Sequence, residues 1–434
     1  MKYRILFCCF LVPMVSLHAA DLSKVSIFGD ISVGSWLDRY EKYLNDSITY
    51  QAGLVETTVV TTDRHPDYHV NVIPFGNFGF KYTGDNVGAT VVFGVSIGLK
   101  DGYQVAGATD QTFIKVEKTY AWVKQWFAEW YVNDRFTFLF GQDYVPGCFL
   151  TTSNQMWYDG NSMLNSGSMY GGRKPMLQLK FSTMKTESPL EIELKAAAIK
   201  VDTVGLGYFN GTDAVPHPLM STKFPKFEGS ADCNANVLGP FRLNAKVAGG
   251  WETYECVSPV YISAYHPDSS GAPITAWVYG AHGSIQITSP LFLSLSVDFS
   301  MGQNLGSYGL YVGNPFVNRL SSNVADLADI FYPKFSGSKA LNSTTDMWNI
   351  IAAARPLSWL ALEGGYGLTH ADHEQYKDTA VVRRWHDMSV LYGQAAIKVM
   401  NAITFTPEFG QYLYGPKKGY GRMTYFGLAT RLDF

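Results

Sequence analysis

Val87-Gly88-Ala89-Thr90-Val91-Val92-Phe93-Gly94-Val95-Ser96-Ile97-Gly98-Leu99 is the stretch that decides the fold class. Val87, Ala89, Val91, Phe93, Val95, Ile97 and Leu99 fall on one side of a period-two ladder, with Thr90, Gly94, Ser96 and Gly98 between them. Successive side chains of a strand point to opposite faces, so the run predicts a strand with one lipid-grade face and one that is not. Just upstream, Phe78, Phe80 and Tyr82 alternate with Gly79 and Lys81, and Thr83-Gly84-Asp85-Asn86 joins the two runs with the composition of a hairpin turn.

The same pattern extends along the chain. Candidate strands are 24–36, 71–82, 87–99, 118–131, 135–143, 175–184, 190–201, 224–235, 241–252, 274–287, 291–302, 346–354, 358–368, 386–399, 403–411 and 422–434, sixteen in all. Within successive pairs the joins are tight, as at Val132-Asn133-Asp134, Thr288-Ser289-Pro290, Arg355-Pro356-Leu357 and Met400-Asn401-Ala402. The joins between pairs are long: 37–70, 100–117, 144–174, 202–223, 253–273, 303–345, 369–385 and 412–421. That alternation predicts an all-β transmembrane antiparallel up-and-down β-barrel, and a soluble sandwich has no reason to produce it. Leu54 to Thr62, rich in Thr and Val, can pair as an additional strand, which would move the barrel toward eighteen.

Composition agrees. Hydrophobic residues make up 47% and aromatics 15% of the chain, yet mean hydropathy is near zero, so apolar and polar side chains are finely interleaved. The longest uncharged run, Ser269 to Val297, is broken by Gly280, His282, Gly283, Gln286 and Pro290 and predicts no membrane helix. The polar faces of the strands carry Ser, Thr, Gly and Asn with isolated charges, which suits a wet lumen. Trp126, Trp130, Tyr131, Trp251, Tyr254 and Trp359 near strand ends fit interfacial girdles.

The N-terminus carries Lys2 and Arg4, then an uncharged stretch from Ile5 to Ala20, with Ala19-Ala20 before Asp21. This reads as a cleavable secretory signal over 1–20, leaving a barrel over 21–434. Removing it takes away two basic residues and no acid, moving the formal charge from −3 to −5, and nothing in that balance suggests a nucleic-acid partner. Cys148, Cys233 and Cys256 remain, too few and too scattered for a disulfide framework or a CxxC metal site, although one disulfide plus one free thiol is compatible with export.

The last residues, Tyr425 to Phe434, alternate up to a terminal aromatic and resemble the C-terminal signal of outer-membrane barrels, which implies insertion by the barrel assembly machinery. Tyr120-Ala121-Trp122-Val123-Lys124, Phe140-Gly141-Gln142-Asp143-Tyr144-Val145-Pro146 and Ile403 to Gly410 are similar to stretches of bacterial porins. The resemblance is architectural over the mature chain. It implies the outer membrane of a Gram-negative-type bacterium, contact with its lipid, and a homotrimer. The implied function is a water-filled channel for passive diffusion of small hydrophilic solutes or ions. It also implies that the third long loop, 144–174, folds into the barrel as a constriction. In those porins acids on the loop face bases on the wall; the matching positions here are Asp143 and Asp159 against Lys81, Lys124 and Arg135. The acidic loop motif of the family is not visible, the loop being rich in Asn, Ser, Gly, Met and aromatics.

Rival readings rest on less. His370-Ala371-Asp372-His373-Glu374 and His65-Pro66-Asp67-Tyr68-His69 lack the spacing of a helical zinc site and fall on predicted long loops. No metal or cofactor is expected. An outer-membrane enzyme would need a nucleophile motif, and none is distinctive. A surface adhesin or structural major protein would use the long loops, of which 303–345 is the longest.

Overall fold

Sixteen antiparallel strands close into a barrel. They are β1 Val25–Glu41, β2 in two segments (Asp67–Val72 and Asn77–Thr83), β3 Val87–Gln104, β4 Phe113–Tyr131, β5 Phe136–Tyr144, β6 Arg173–Ser182, β7 Leu190–Ile199, β8 Lys226–Leu238, β9 Phe241–Cys256, β10 Pro273–Ile287, β11 Phe292–Gln303, β12 Ser343–Leu357, β13 Leu360–His373, β14 Asp387–Met400, β15 Ile403–Tyr414 and β16 Gly421–Asp433. The computed structural model describes residues 22–41, 67–72, 77–104, 113–149, 167–183, 189–201, 224–256, 273–310, 339–374, 387–400, 402–414 and 421–434, with short pieces at 47–48, 57–58, 209–210, 213–214, 220–222, 331 and 333–336. The proposed signal at 1–20 lies outside the described residues.

Each strand pairs with the next, and β16 returns to β1 from Asp433 opposite Asp30 to Arg422 opposite Glu41. The final rung is reciprocal: Phe434 N–H donates to Gly29 O and Gly29 N–H to Phe434 O, both at 3.0 Å. The two segments of β2 continue one another along β1, at Val33 to Asp38 and at Val25 to Asp30, so they make one stave. Of the stretch 54–62 that could have made eighteen, Thr57–Thr58 is described. It pairs with Ser47–Ile48 in a ladder separate from the barrel.

Alternation assigns the two faces. On β11, Leu293, Leu295, Val297 and Phe299 are 40–46% exposed, while Asp298 and Ser300 on either side of Phe299 are 0%. The same outward apolar set recurs at Ile31 and Val33, Phe78 and Phe80, Leu177 and Leu179, and Phe426 and Leu428. An exposed apolar surface of this extent belongs against lipid.

Four expectations are corrected. Trp126, Trp130, Trp251 and Trp359 do point outward, but Tyr254 is buried and shares the inward parity of Glu252, and Tyr131 turns inward to donate to Glu129. The segment His370 to His373 is the end of β13, and Asp67 to His69 belongs to β2, although both were placed on loops. Ladders continue past the apolar band because hydrogen bonding needs no apolar side chain, so periodicity in hydrophobicity underestimates strand length.

Val297→Arg, an outward substitution in mid-strand, is expected to cost about 2–4 kcal/mol in denaturant unfolding from lipid vesicles. The inward Ser296→Arg is expected to cost far less; equal losses would contradict the assignment of faces.

Candidate functional site

The chain leaves β5 at Tyr144 and enters β6 at Arg173, and both described ends of this connection lie against the inner wall. Val145-Pro146-Gly147-Cys148 makes a β-turn with Pro at its second position, closed by Cys148 N–H to Val145 O at 3.1 Å. The two legs then pair, Val145 N–H to Gly172 O at 3.2 Å and Phe149 N–H to Met169 O at 2.8 Å.

The legs pack on the wall through two apolar clusters. Val145, Cys148 and Tyr170 sit with Leu139, Met176, Ala197 and Ile199 of β5, β6 and β7. Phe149 and Met169 sit with Ala248, Ala276, Val278 and Met347 of β9, β10 and β12. Gly280 of β10 makes room for the second contact: a Cβ there would meet Phe149 Cε2 at 3.0 Å and Met169 Sδ at 3.2 Å. Gly167, at φ +113°, runs so close to β12 that a Cβ would lie 2.5 Å from Trp348 O. That backbone conformation favours glycine on its own account.

Polar groups fix the position. Gly147 N–H donates to Glu228 Oε1 at 2.5 Å. Lys246 Nζ donates to Cys148 O at 3.1 Å and lies 3.5 Å from Asp232 Oδ2 on the neighbouring strand. Asp298, fully buried, receives Ser168 Oγ at 3.0 Å and Asn349 Nδ2 at 3.1 Å on Oδ2, while His282 Nδ1 lies 2.6 Å from Oδ1. Asn349 Nδ2 also reaches Ser168 Oγ at 2.9 Å. A buried carboxylate is tolerable only with such partners. The order hydroxyl, carboxylate, imidazole does not activate Ser168, because a serine nucleophile needs the imidazole beside its hydroxyl. This arrangement ties down a chain segment.

The residues singled out from sequence are not gathered in one place. Lys124 is a bulge residue: Gln125 opposes Val92 and Val123 opposes Phe93, leaving Lys124 without a rung. The bulge turns both Lys124 and Gln125 inward, where Lys124 Nζ donates to Asn77 Oδ1 at 2.9 Å and Gln125 Nε2 to Asp143 Oδ1 at 2.6 Å. Asn77 Nδ2 in turn donates to Asp30 Oδ1 at 2.9 Å. Asp143 and Lys124 thus join one polar stretch of wall. Lys81 and Arg135 are exposed near the tight turns, and Arg135 lies eight residues from Asp143, about 26 Å at the ~3.3 Å rise of a strand. Asp159 lies outside the described residues. Among those described, no group of His, Cys, Asp or Glu could hold a metal, and Cys148 and Cys233 are free thiols.

Sequence reasoning missed the residues that hold the connection: Glu228, Lys246, His282, Asp298 and Asn349. Their one local sign is a charge, imidazole or amide at inward parity in an alternating strand. That sign marks a lumen position and says nothing of what it grips.

Burial, followed by the Glu228 carboxylate, pushes the Cys148 thiol up to about 12. At pH 8 about one in ten thousand such thiols is ionised, and the thiolate is the reactive form. In a chain whose other cysteines are serine, Cys148 is therefore expected to resist alkylation at pH 8 while the barrel is folded. Asp298→Ala leaves Ser168 and Asn349 without their acceptor, a loss of about 1–3 kcal/mol, and is expected to speed the reaction at least several-fold. An unchanged rate would show that Asp298 does not hold the connection.

No family model matches the chain, and no curated protein does. Solved structures match along nearly its whole length. The outer membrane channel DcaP of Acinetobacter baumannii is 14% identical, with 96% of this chain and 99% of that one covered and a TM-score of 0.56. The anion-selective porin from Comamonas acidovorans is 11% identical over 94% and 99% of the two chains, with a TM-score of 0.49. OmpF of Salmonella typhi is 8% identical over 94% and 97%, with a TM-score of 0.47. At such identities the likeness is one of fold, and the DcaP match gives that fold as one found in an outer-membrane channel.

Proposed function

We propose that this chain is an outer-membrane porin, a passive channel for small hydrophilic solutes or ions, narrowed by the 144–174 connection and performing no chemistry. One observation supports the reading: a closed barrel with an apolar outer face holds, fastened on its polar inner face, both described ends of the connection between β5 and β6. A barrel that served only to display loops would have no use for Gly147, Ser168 and Cys148 fixed against Glu228, Asp298 and Lys246.

Delivery fits the same reading. Residues 1–20 supply export, and the terminal Phe434, outward and 61% exposed, completes the last rung that an assembly machine would recognise. Homotrimer formation follows from the resemblance to sixteen-stranded porins. Lys124, Asp143, Lys81 and Arg135 line the passage, with Lys124 and Asp143 deeper than the other two; Asp159, outside the described residues, is the acid proposed for the constriction.

Purified protein inserted in a planar bilayer is expected to give discrete conductance steps. Their persistent absence from protein that shows the heat-dependent gel migration of a folded barrel would overturn the channel. Cross-linking in native membranes is expected to give a species of three chains, and recovery of single chains alone would contradict the trimer.

A further inference from the structure

The chain leaving β11 also turns into the barrel. Asn304 takes a left-handed conformation, φ 53° and ψ 45°, and starts α1, a single turn over Leu305–Tyr308. Asn304 staples both ends of the 303–345 connection: its Nδ2 donates to Asn342 Oδ1 at 2.9 Å and to Thr275 O at 3.0 Å, and its Oδ1 accepts Ser343 N–H at 2.9 Å. Leu305, Tyr308 and Leu310 are buried in the same apolar cluster as Phe149 and Met169 of the first connection.

Tyr308 settles what this segment does there. Its ring lies against Gly250, the residue directly opposite Glu228, and any Cβ at Gly250 would collide with the Tyr308 hydroxyl. The hydroxyl donates to Glu228 Oε2 at 2.9 Å. Burial and then the Glu228 charge raise the tyrosine pKa well above its usual value, so the group stays protonated and able to donate. Lys226 Nζ donates to Tyr308 O at 3.0 Å and sits 4.1 Å from the ring centre. The other oxygen of Glu228 is the one that receives Gly147 N–H.

We infer that Glu228 is a positioning residue that couples the two infolded connections, so that the start of 303–345 narrows the lumen together with 144–174. The narrowing role rests on the channel reading; the coupling does not. One carboxylate with a donor on each oxygen, each donor from a different connection, has no slack for one to move alone. The two connections also share one apolar cluster, but apolar contact is non-directional and does not by itself fix one segment to the other. The sharing of a single buried anion ties them.

Two readouts test this in the full-length protein with Cys148 as its one cysteine. Tyr308→Phe removes the hydroxyl from the second connection and leaves the first untouched. Coupling predicts faster alkylation of Cys148 in the first connection. Gly250→Val, whose Cβ meets the Tyr308 hydroxyl and the Phe227 carbonyl while the Glu228 side chain is kept, is expected to do the same. Glu228→Gln, which can still accept from Gly147 and donate to the tyrosine oxygen, is instead expected to keep the parent unitary conductance, even though loss of the charge that, after burial, holds the Cys148 thiol up speeds its alkylation. An unchanged Cys148 rate in folded Tyr308→Phe and Gly250→Val barrels would overturn the coupling whether or not the protein conducts. In single-channel recording, both variants are expected to show larger unitary conductance with excess open-level noise. Parent-like traces from a conducting, folded variant would overturn the second narrowing element and leave the channel itself standing.

Discussion

Lipid offers backbone groups no hydrogen bonds, and this constraint organises everything else in the molecule. A strand edge in hydrocarbon would leave a row of N–H and C=O groups unpaired, each at a cost of several kcal/mol, so a spanning sheet must close on itself. Here closure depends on the seam between β1 and β16, and it runs to the last residue, where Phe434 and Gly29 exchange hydrogen bonds. Once the sheet is closed, period-two alternation has a physical meaning at every position: one parity meets lipid and the other meets the lumen. The wall residues discussed above take their direction from that parity, and at Lys124 a single bulge resets it so that Lys124 and Gln125 both turn inward.

Closure creates a second problem inside. A sixteen-stranded ring is too wide for its own side chains to fill, so inward charges either face water or need partners brought to them. On β8 to β12 the partners are brought by the chain itself. Glu228 and Asp298, nearly or fully buried, have their oxygens met by backbone N–H, hydroxyl, amide and imidazole groups from two returning connections and the wall. The apolar clusters beneath them provide most of the area and the polar groups set the register, a division of labour common in ordinary cores.

The strands were legible in the sequence because their signal is local. Thirteen residues from Val87 to Leu99 suffice to show a face, and tight turns such as Thr288-Ser289-Pro290 punctuate the ladders. Strand ends were less legible, since at His370 to His373 the ladder outlasts the apolar side chains. The direction of Tyr254 could have been read by counting from outward Trp251; aromaticity was the weaker guide. The grip on the infolded connections could not have been read at all. Ser168 and Asn349 are 181 positions apart, and Tyr308 and Glu228 are 80 apart. Such partners meet only when the barrel has closed, and a lone Ser or Glu carries no mark of the residue it will meet. For the same reason the described charges among those chosen from sequence, Lys81, Lys124, Arg135 and Asp143, do not form one group.

The most direct measurement is swelling of vesicles containing the folded protein in sugars of graded size. The account predicts rates above those of protein-free vesicles, falling steeply as the solute grows. Rates equal to protein-free vesicles for even the smallest sugar, with the barrel folded and inserted, would contradict it.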